Sequence, residues 1–159
     1  MIGPSDNALS AWRSIVPLVH DMVDGRTDDE IDRRNHSGSM TRRETVHHIV
    51  EANVVAASIV IAALGSPGCV YDWSWMMPFG PWMERMRYDR KPLGPTLRLL
   101  EALNEYVAAQ VEPLPDGLDR RVKLRDEAGG KLREVTVAEV LLQEVEHARE
   151  EAAAIRKSS

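Results

Sequence analysis

At 159 residues, with 43% hydrophobic and 28% charged residues, the chain can bury one ordinary core, and a single domain over 1–159 is expected. A net charge of −5 with basic residues scattered among acidic ones argues against a nucleic-acid face, and nothing favours membrane binding: the longest apolar stretch, 54–64, is interrupted by Ser58. Cys69 is the only cysteine, which excludes a disulfide framework or a cysteine-based zinc site, and the start Met-Ile-Gly-Pro-Ser-Asp has no signal-peptide character, so a cytoplasmic protein is expected.

In chain order, a first helix is expected over 6–23, with Asp6 as N-cap and Gly25 past its end. Ala8, Trp12, Ile15, Val16, Val19 and Val23 share one face, and Pro17 should kink the helix or set its boundary. Thr27-Asp-Asp-Glu opens a short helical turn with capping-box character, and 35–39 reads as loop. A second helix begins at Thr41, with Glu44 three residues on, and runs to Leu64, where Gly65-Ser-Pro-Gly stops it. Beyond residue 52 it is apolar nearly all round, so it should be the most buried helix.

A connection of roughly 25 residues follows, over 69–93, holding Trp73, Trp75, Trp82, Phe79 and four of the seven methionines. Aromatic residues over 71–88 fit two roles: capping one bundle end or a dimer contact, or walling a substrate pocket, with Arg85, Arg87 or Arg90 available to an anion. A third helix is expected from about Pro95 to Glu112, with the stripe Leu97, Leu100, Leu103, Val107 and Val111. Alternation around Gly129-Gly130 predicts a β-hairpin, on which Arg120, Arg121, Lys123 and Arg125 read as a solvated face. The last helix starts at Thr136, with Glu139 at its third position, and continues to about Arg156. The fold class is therefore all-α: a four-helix bundle with one long crossover between its second and third helices and a small β-hairpin before the last.

The last helix carries the informative chemistry. Its core stripe is Val137, Leu141, Val145, Ala148, Ala152 and Ile155, and Glu144 and Glu151 fall inside that seam. Buried carboxylates require partners: neighbouring arginines, solvent at the helix ends, or a divalent cation. His147 lies at the seam's edge, one turn before Glu151. On the second helix His48 aligns with Ala52, Val55 and Ile59, whereas His47 aligns with Glu51 and Ser58 on a more polar face. His48 alone would read as a hydrogen-bonded core histidine. Set against a His and a Glu four residues apart on another helix, it completes a three-ligand site suited to Zn, Ni, Fe or Mn. Glu144-x-x-His147 matches half of a carboxylate-bridged two-metal pattern, but Glu101, Glu105 and Asp21 lie off the apolar stripes that would have to supply the rest.

The segment Thr41-Arg-Arg-Glu-Thr-Val-His-His-Ile-Val-Glu-Ala resembles the second-helix signature of the DinB/YfiT-like superfamily, in which a Ser or Thr precedes the metal-binding His by seven positions. The segment Thr136-Val-Ala-Glu-Val-Leu-Leu-Gln-Glu-Val-Glu-His-Ala-Arg-Glu-Glu resembles that family's last helix, where the usual pattern is His, three residues, His. His147 matches the first of that pair and Glu151 stands in the place of the second, a His-His-Glu set of the kind used by the family's mycothiol-dependent, maleylpyruvate isomerase-like members. The resemblance implies one divalent metal ion held by His48, His147 and Glu151, with Glu144 as a fourth or alternative ligand.

It further implies a metal-dependent enzyme that activates mycothiol, another low-molecular-weight thiol or water for transfer, isomerisation or hydrolysis of a small-molecule substrate. Glu144 and His47 are the nearest candidates for a catalytic base. The alternative is a non-catalytic, stress-associated binding protein with a structural or vestigial metal site. A homodimer is compatible with the apolar crossover.

Overall fold

The computed structural model describes residues 4–157, with helices α1 (Pro4–Arg13), α2 (Ile15–Val23), α3 (Asp28–Ile31), α4 (Arg42–Gly65), α5 (Phe79–Met86), α6 (Leu93–Val111) and α7 (Val137–Lys157). Strands β1 (Val70–Asp72), β2 (Arg121–Arg125) and β3 (Leu132–Thr136) form one small sheet. The bundle consists of the bent α1–α2 rod, α4, α6 and α7. Each apolar stripe expected on α7 is buried, from Val137 through Ile155.

Three Thr-x-x-Glu boxes set where helices begin. Thr27 with Glu30, Thr41 with Glu44 and Thr136 with Glu139 each show the reciprocal pattern, the Thr hydroxyl accepting from the Glu amide and the Glu carboxylate accepting from the Thr amide. These boxes fix the start of α4 and of α7, and thereby how far along each helix its histidine sits.

Pro17 acts one turn before itself. It has no N–H for the Arg13 carbonyl, and its ring crowds that carbonyl, so the helix breaks at Ser14 and resumes at Ile15. The break is stabilised by a reciprocal pair: the buried Asn104 amide donates to the Trp12 carbonyl at 2.8 Å, and the Trp12 indole donates to the Asn104 carbonyl at 3.1 Å. The first helix also starts at Pro4 rather than Asp6, with Pro in the first helical position where its missing N–H costs nothing.

The crossover is more structured than a connection. After α4 the chain forms β1, which runs parallel to β2 with Val70 opposite Lys123 and Asp72 opposite Arg125. The Trp73 amide continues the pairing by donating to the Arg125 carbonyl at 3.2 Å. β2 and β3 form the expected antiparallel hairpin, with Leu124 opposite Arg133 and Gly129 supplying a left-handed φ of 70° at the turn. Alternation buries Val122 and Leu124 on the face toward the bundle. One arginine read as solvated does structural work instead. Arg120 donates to the Leu64 carbonyl at 2.6 Å and so caps the C-terminus of α4, while Asp116 holds its other edge.

By length and composition α4 could cross a membrane; more than half of its apolar stretch is buried against the bundle, while Val54 and Ile61 stay exposed. Core helices meet the same criterion.

His20 bridges two carboxylates, Asp24 just past the end of α2 at 3.1 Å and Glu101 on α6 at 2.8 Å. Partial burial works against its protonation, but the hydrogen bonds and charges of these two carboxylates hold its pKa above the ordinary 6.5. Its contribution is therefore complete below pH 6.5 and is lost as pH rises through the raised value. His20→Gln should lower unfolding stability in urea by no more than about 1 kcal/mol at pH 5.5 and by less at pH 8.5. Asn104→Leu, which removes the donor to the Trp12 carbonyl, should cost about 1 to 3 kcal/mol in the same assay at both pH values.

Candidate metal centre

The α4–α7 contact brings together three of the residues singled out from the sequence. His48 lies two turns into α4 and His147 midway along α7, and their Nε2 atoms face each other at 3.0 Å. Glu151 Oε1, one turn beyond His147, lies 3.7 Å from each of them. All three side chains are largely withdrawn from solvent, His48 being 12%, Glu151 25% and His147 32% exposed.

A triangle with these edges has a circumscribed radius of about 2.0 Å, so a single point can lie at the distance that imidazole nitrogen and carboxylate oxygen keep from a divalent transition metal. Among the described residues this is the one cluster of three or more His, Cys, Asp or Glu side chains with that convergence. The donor set of two imidazoles and one carboxylate leaves coordination positions for water or substrate.

The tautomers of the two rings are linked. His147 Nδ1 approaches Glu144 Oε1 at 3.4 Å, which places the proton on Nδ1 and a lone pair on Nε2. His48 Nε2 must then carry a proton to meet that lone pair, or both nitrogens must share a cation. In the first case His48 Nδ1 is a buried acceptor without a donor, and it has no hydrogen-bond partner. In the second case Nδ1 carries the proton, and there too it has no hydrogen-bond partner.

The charges around the triad are tuned together. The Glu144 carboxylate at Nδ1, ahead of the opposing effect of burial, holds the His147 pKa above its ordinary value. The His48 ring beside Glu151, followed by the charges of both imidazoles, holds that carboxyl below its ordinary value against burial. An ionised Glu151 beside the two imidazoles supplies negative charge for a cation, which would have to displace the proton between the rings.

Glu144 and His47 take positions away from the triad. Glu144 lies behind His147 rather than beside it, where it also accepts from the Asn53 amide at 2.9 Å. His47 points to the other side of α4, where its Nε2 meets the Lys91 carbonyl and its Nδ1 the Thr96 hydroxyl, both at 3.1 Å. Its ring stacks on Tyr88, and burial lowers its pKa. The adjacent histidines separate because neighbouring positions on a helix are about 100° apart.

Beside the two imidazoles opens a cavity of about 300 Å³. Its floor is the α4 face on which Ala52 and Ala56 follow His48 at successive turns. Trp73, Met76, Met77 and Phe79 from the crossover wall it, and Phe79 packs against His48 with ring centroids 4.3 Å apart. Of the two roles read for the crossover aromatics, these residues take the pocket role, whereas Trp75 stays 58% exposed and stacks near Trp82. None of Arg85, Arg87 and Arg90 lines the cavity; Arg87 is engaged with Asp89. The arginine at the cavity is Arg133, brought there by its register opposite Leu124. Nothing local in the sequence separates Arg133 from its hairpin neighbours, since only the strand pairing puts it over the bundle.

Substituting His48, His147 or Glu151 by Ala should abolish stoichiometric binding of Zn²⁺, Ni²⁺ or Mn²⁺ in equilibrium dialysis. Glu144→Gln should keep the stoichiometry and weaken affinity by about 10- to 100-fold, because it loosens the ring it braces. His47→Gln should leave affinity within about threefold of wild type, as a residue outside the ligand and bracing sets.

No protein-family model matches the chain, and no curated protein sequence matches it significantly. Among solved structures it is similar to YfiT from Bacillus subtilis, described as a probable metal-dependent hydrolase with an unusual four-helix bundle topology, at a TM-score of 0.78 and 19% identity. The match covers 98% of this chain and 85% of YfiT. The chain thus has the four-helix bundle fold of YfiT, with the long crossover and small sheet that accompany it here.

Proposed function

We propose that the protein is a metal-dependent enzyme that activates a small nucleophile, water or a low-molecular-weight thiol such as mycothiol, against a small-molecule substrate. The observation that carries this reading is the convergence of His48, His147 and Glu151 at the wall of a cavity large enough for a ligand. A divalent cation bound there supplies Lewis acidity, lowering the pKa of a water or thiol it holds.

The chain's own residues supply the rest. His48 and His147 offer neutral donors, and Glu151 offsets part of the cation's charge. Glu144 fixes the His147 tautomer so that Nε2 faces the triad, and Phe79 holds the His48 ring by packing. The apolar walls keep bulk water away from the reacting group, which strengthens every charge interaction at that end of the cavity. The YfiT description favours water as nucleophile, while the His-His-Glu set favours the thiol by its resemblance to the mycothiol-dependent members. One domain over 1–159 suffices for both.

Metal-loaded protein should cleave an activated ester with water or accelerate loss of mycothiol, bacillithiol or glutathione against an electrophile such as a chlorodinitrobenzene. Activity should vanish on chelation and return with added metal. Stoichiometric metal without either activity would favour the non-catalytic alternative, and failure to bind metal after reconstitution would contradict the enzyme reading and leave a vestigial site.

A further inference from the structure

The cavity beside the triad has a composition that selects among substrates. Its body is made of apolar side chains from three parts of the fold: Ala52, Val55, Ala56 and Ile59 on α4, Trp73 and the methionines of the crossover, and Leu124 on β2. The hollow exists because Ala52 and Ala56 present only methyl groups where larger residues would fill the space.

The charged side chains at its edge, Arg133 and Glu144, are already engaged. Arg133 makes a two-pronged contact with Asp126, Nε to Oδ2 at 2.5 Å and Nη2 to Oδ1 at 3.2 Å, and its Nη1 donates to the side-chain oxygen Oε1 of Gln143 at 3.3 Å. A guanidinium whose fork holds one carboxylate is not a receptor for another. The Trp73 indole N–H, its single polar atom, donates to the same Asp126 at 2.7 Å. Glu144 contributes a carboxylate to the lining, bonded to Asn53 and facing His147. An anionic group in the body of the cavity would therefore meet a neutralised arginine and a carboxylate. A cationic group would lose its hydration among apolar walls.

We propose that the cavity binds an uncharged apolar arm of the substrate, an aryl or alkyl group of about ten to twelve carbons, with the reacting polar group directed at the His48–His147 end. This rests on the metal-dependent reading above and adds the substrate class to it. The size follows from the volume: an apolar cavity of about 150 Å³ holds one benzene, and this one is about twice that. Met76 and Met77, with their flexible thioethers, let the walls follow arms of different outline, so size and neutrality rather than exact shape set the preference.

Isothermal titration of naphthalene, 2-naphthoate and 1-naphthylmethylammonium into metal-stripped protein separates the cavity from the metal. Naphthalene should bind one to one, with each charged analogue at least tenfold weaker. Ala56→Phe, which fills the hollow, should weaken naphthalene at least tenfold while metal stoichiometry stays that of wild type; Val55→Trp serves the same purpose should Ala56→Phe not fold. Absence of naphthalene binding, binding unchanged in a folded filled variant, or preference for 2-naphthoate in the metal-stripped protein would each overturn the proposal. Because these readouts need no metal, naphthalene binding by a protein that takes up no metal would sink the enzyme reading and leave the cavity assignment standing.

Discussion

Two imidazole nitrogens, one from α4 and one from α7, face each other at 3.0 Å inside a bundle, with a carboxylate oxygen 3.7 Å from both. Neither nitrogen can present a lone pair to the other without a proton or a cation between them. This arrangement depends on the two helices packing in one register, which their Thr-Glu boxes help to set and which Val46, Ile49, Val50, Val145 and Ala148 lock by close burial. The cavity, the bracing role of Glu144 and the packing of Phe79 all follow from where those two rings stand.

Much of the fold was legible because it is encoded locally. Capping boxes at Thr27, Thr41 and Thr136, the apolar stripes and the Gly129-Gly130 turn act within a few residues of themselves, and the structure places each where its local physics predicts. What escaped reading is non-local. β1 is only three residues long, too short for its alternation to mark it, and it becomes a strand because β2 lies beside it. Arg120 looked solvated, since its acceptor, the Leu64 carbonyl, is far away in sequence. Pro17 announced a disruption, yet the break falls at Ser14 because the ring acts on the carbonyl four residues earlier.

The site divides the same way. A helical wheel separates His48 from His47 and puts Glu144, His147 and Glu151 on one buried edge, and the structure brings His48, His147 and Glu151 together. The wheel does not say which ring atom a neighbour meets. Glu144, three residues before His147, meets Nδ1, while Glu151, four residues after it, faces Nε2. That difference separates a bracing role from a ligand role. The pocket's arginine belongs to the hairpin and not to the crossover, because only tertiary packing decides which of many surface arginines covers the bundle's end.

The fold likeness to YfiT and the triad geometry are independent observations, one of chain path and one of side-chain convergence. Crystallographic anomalous scattering, recorded above and below the absorption edge of zinc on crystals grown with that metal, tests the central claim most directly. The account predicts one peak between the α4 and α7 residues, bonded to His48 Nε2, His147 Nε2 and Glu151 Oε1. A map without that peak, or with the metal bound elsewhere while the two imidazoles remain hydrogen-bonded to each other, would contradict it.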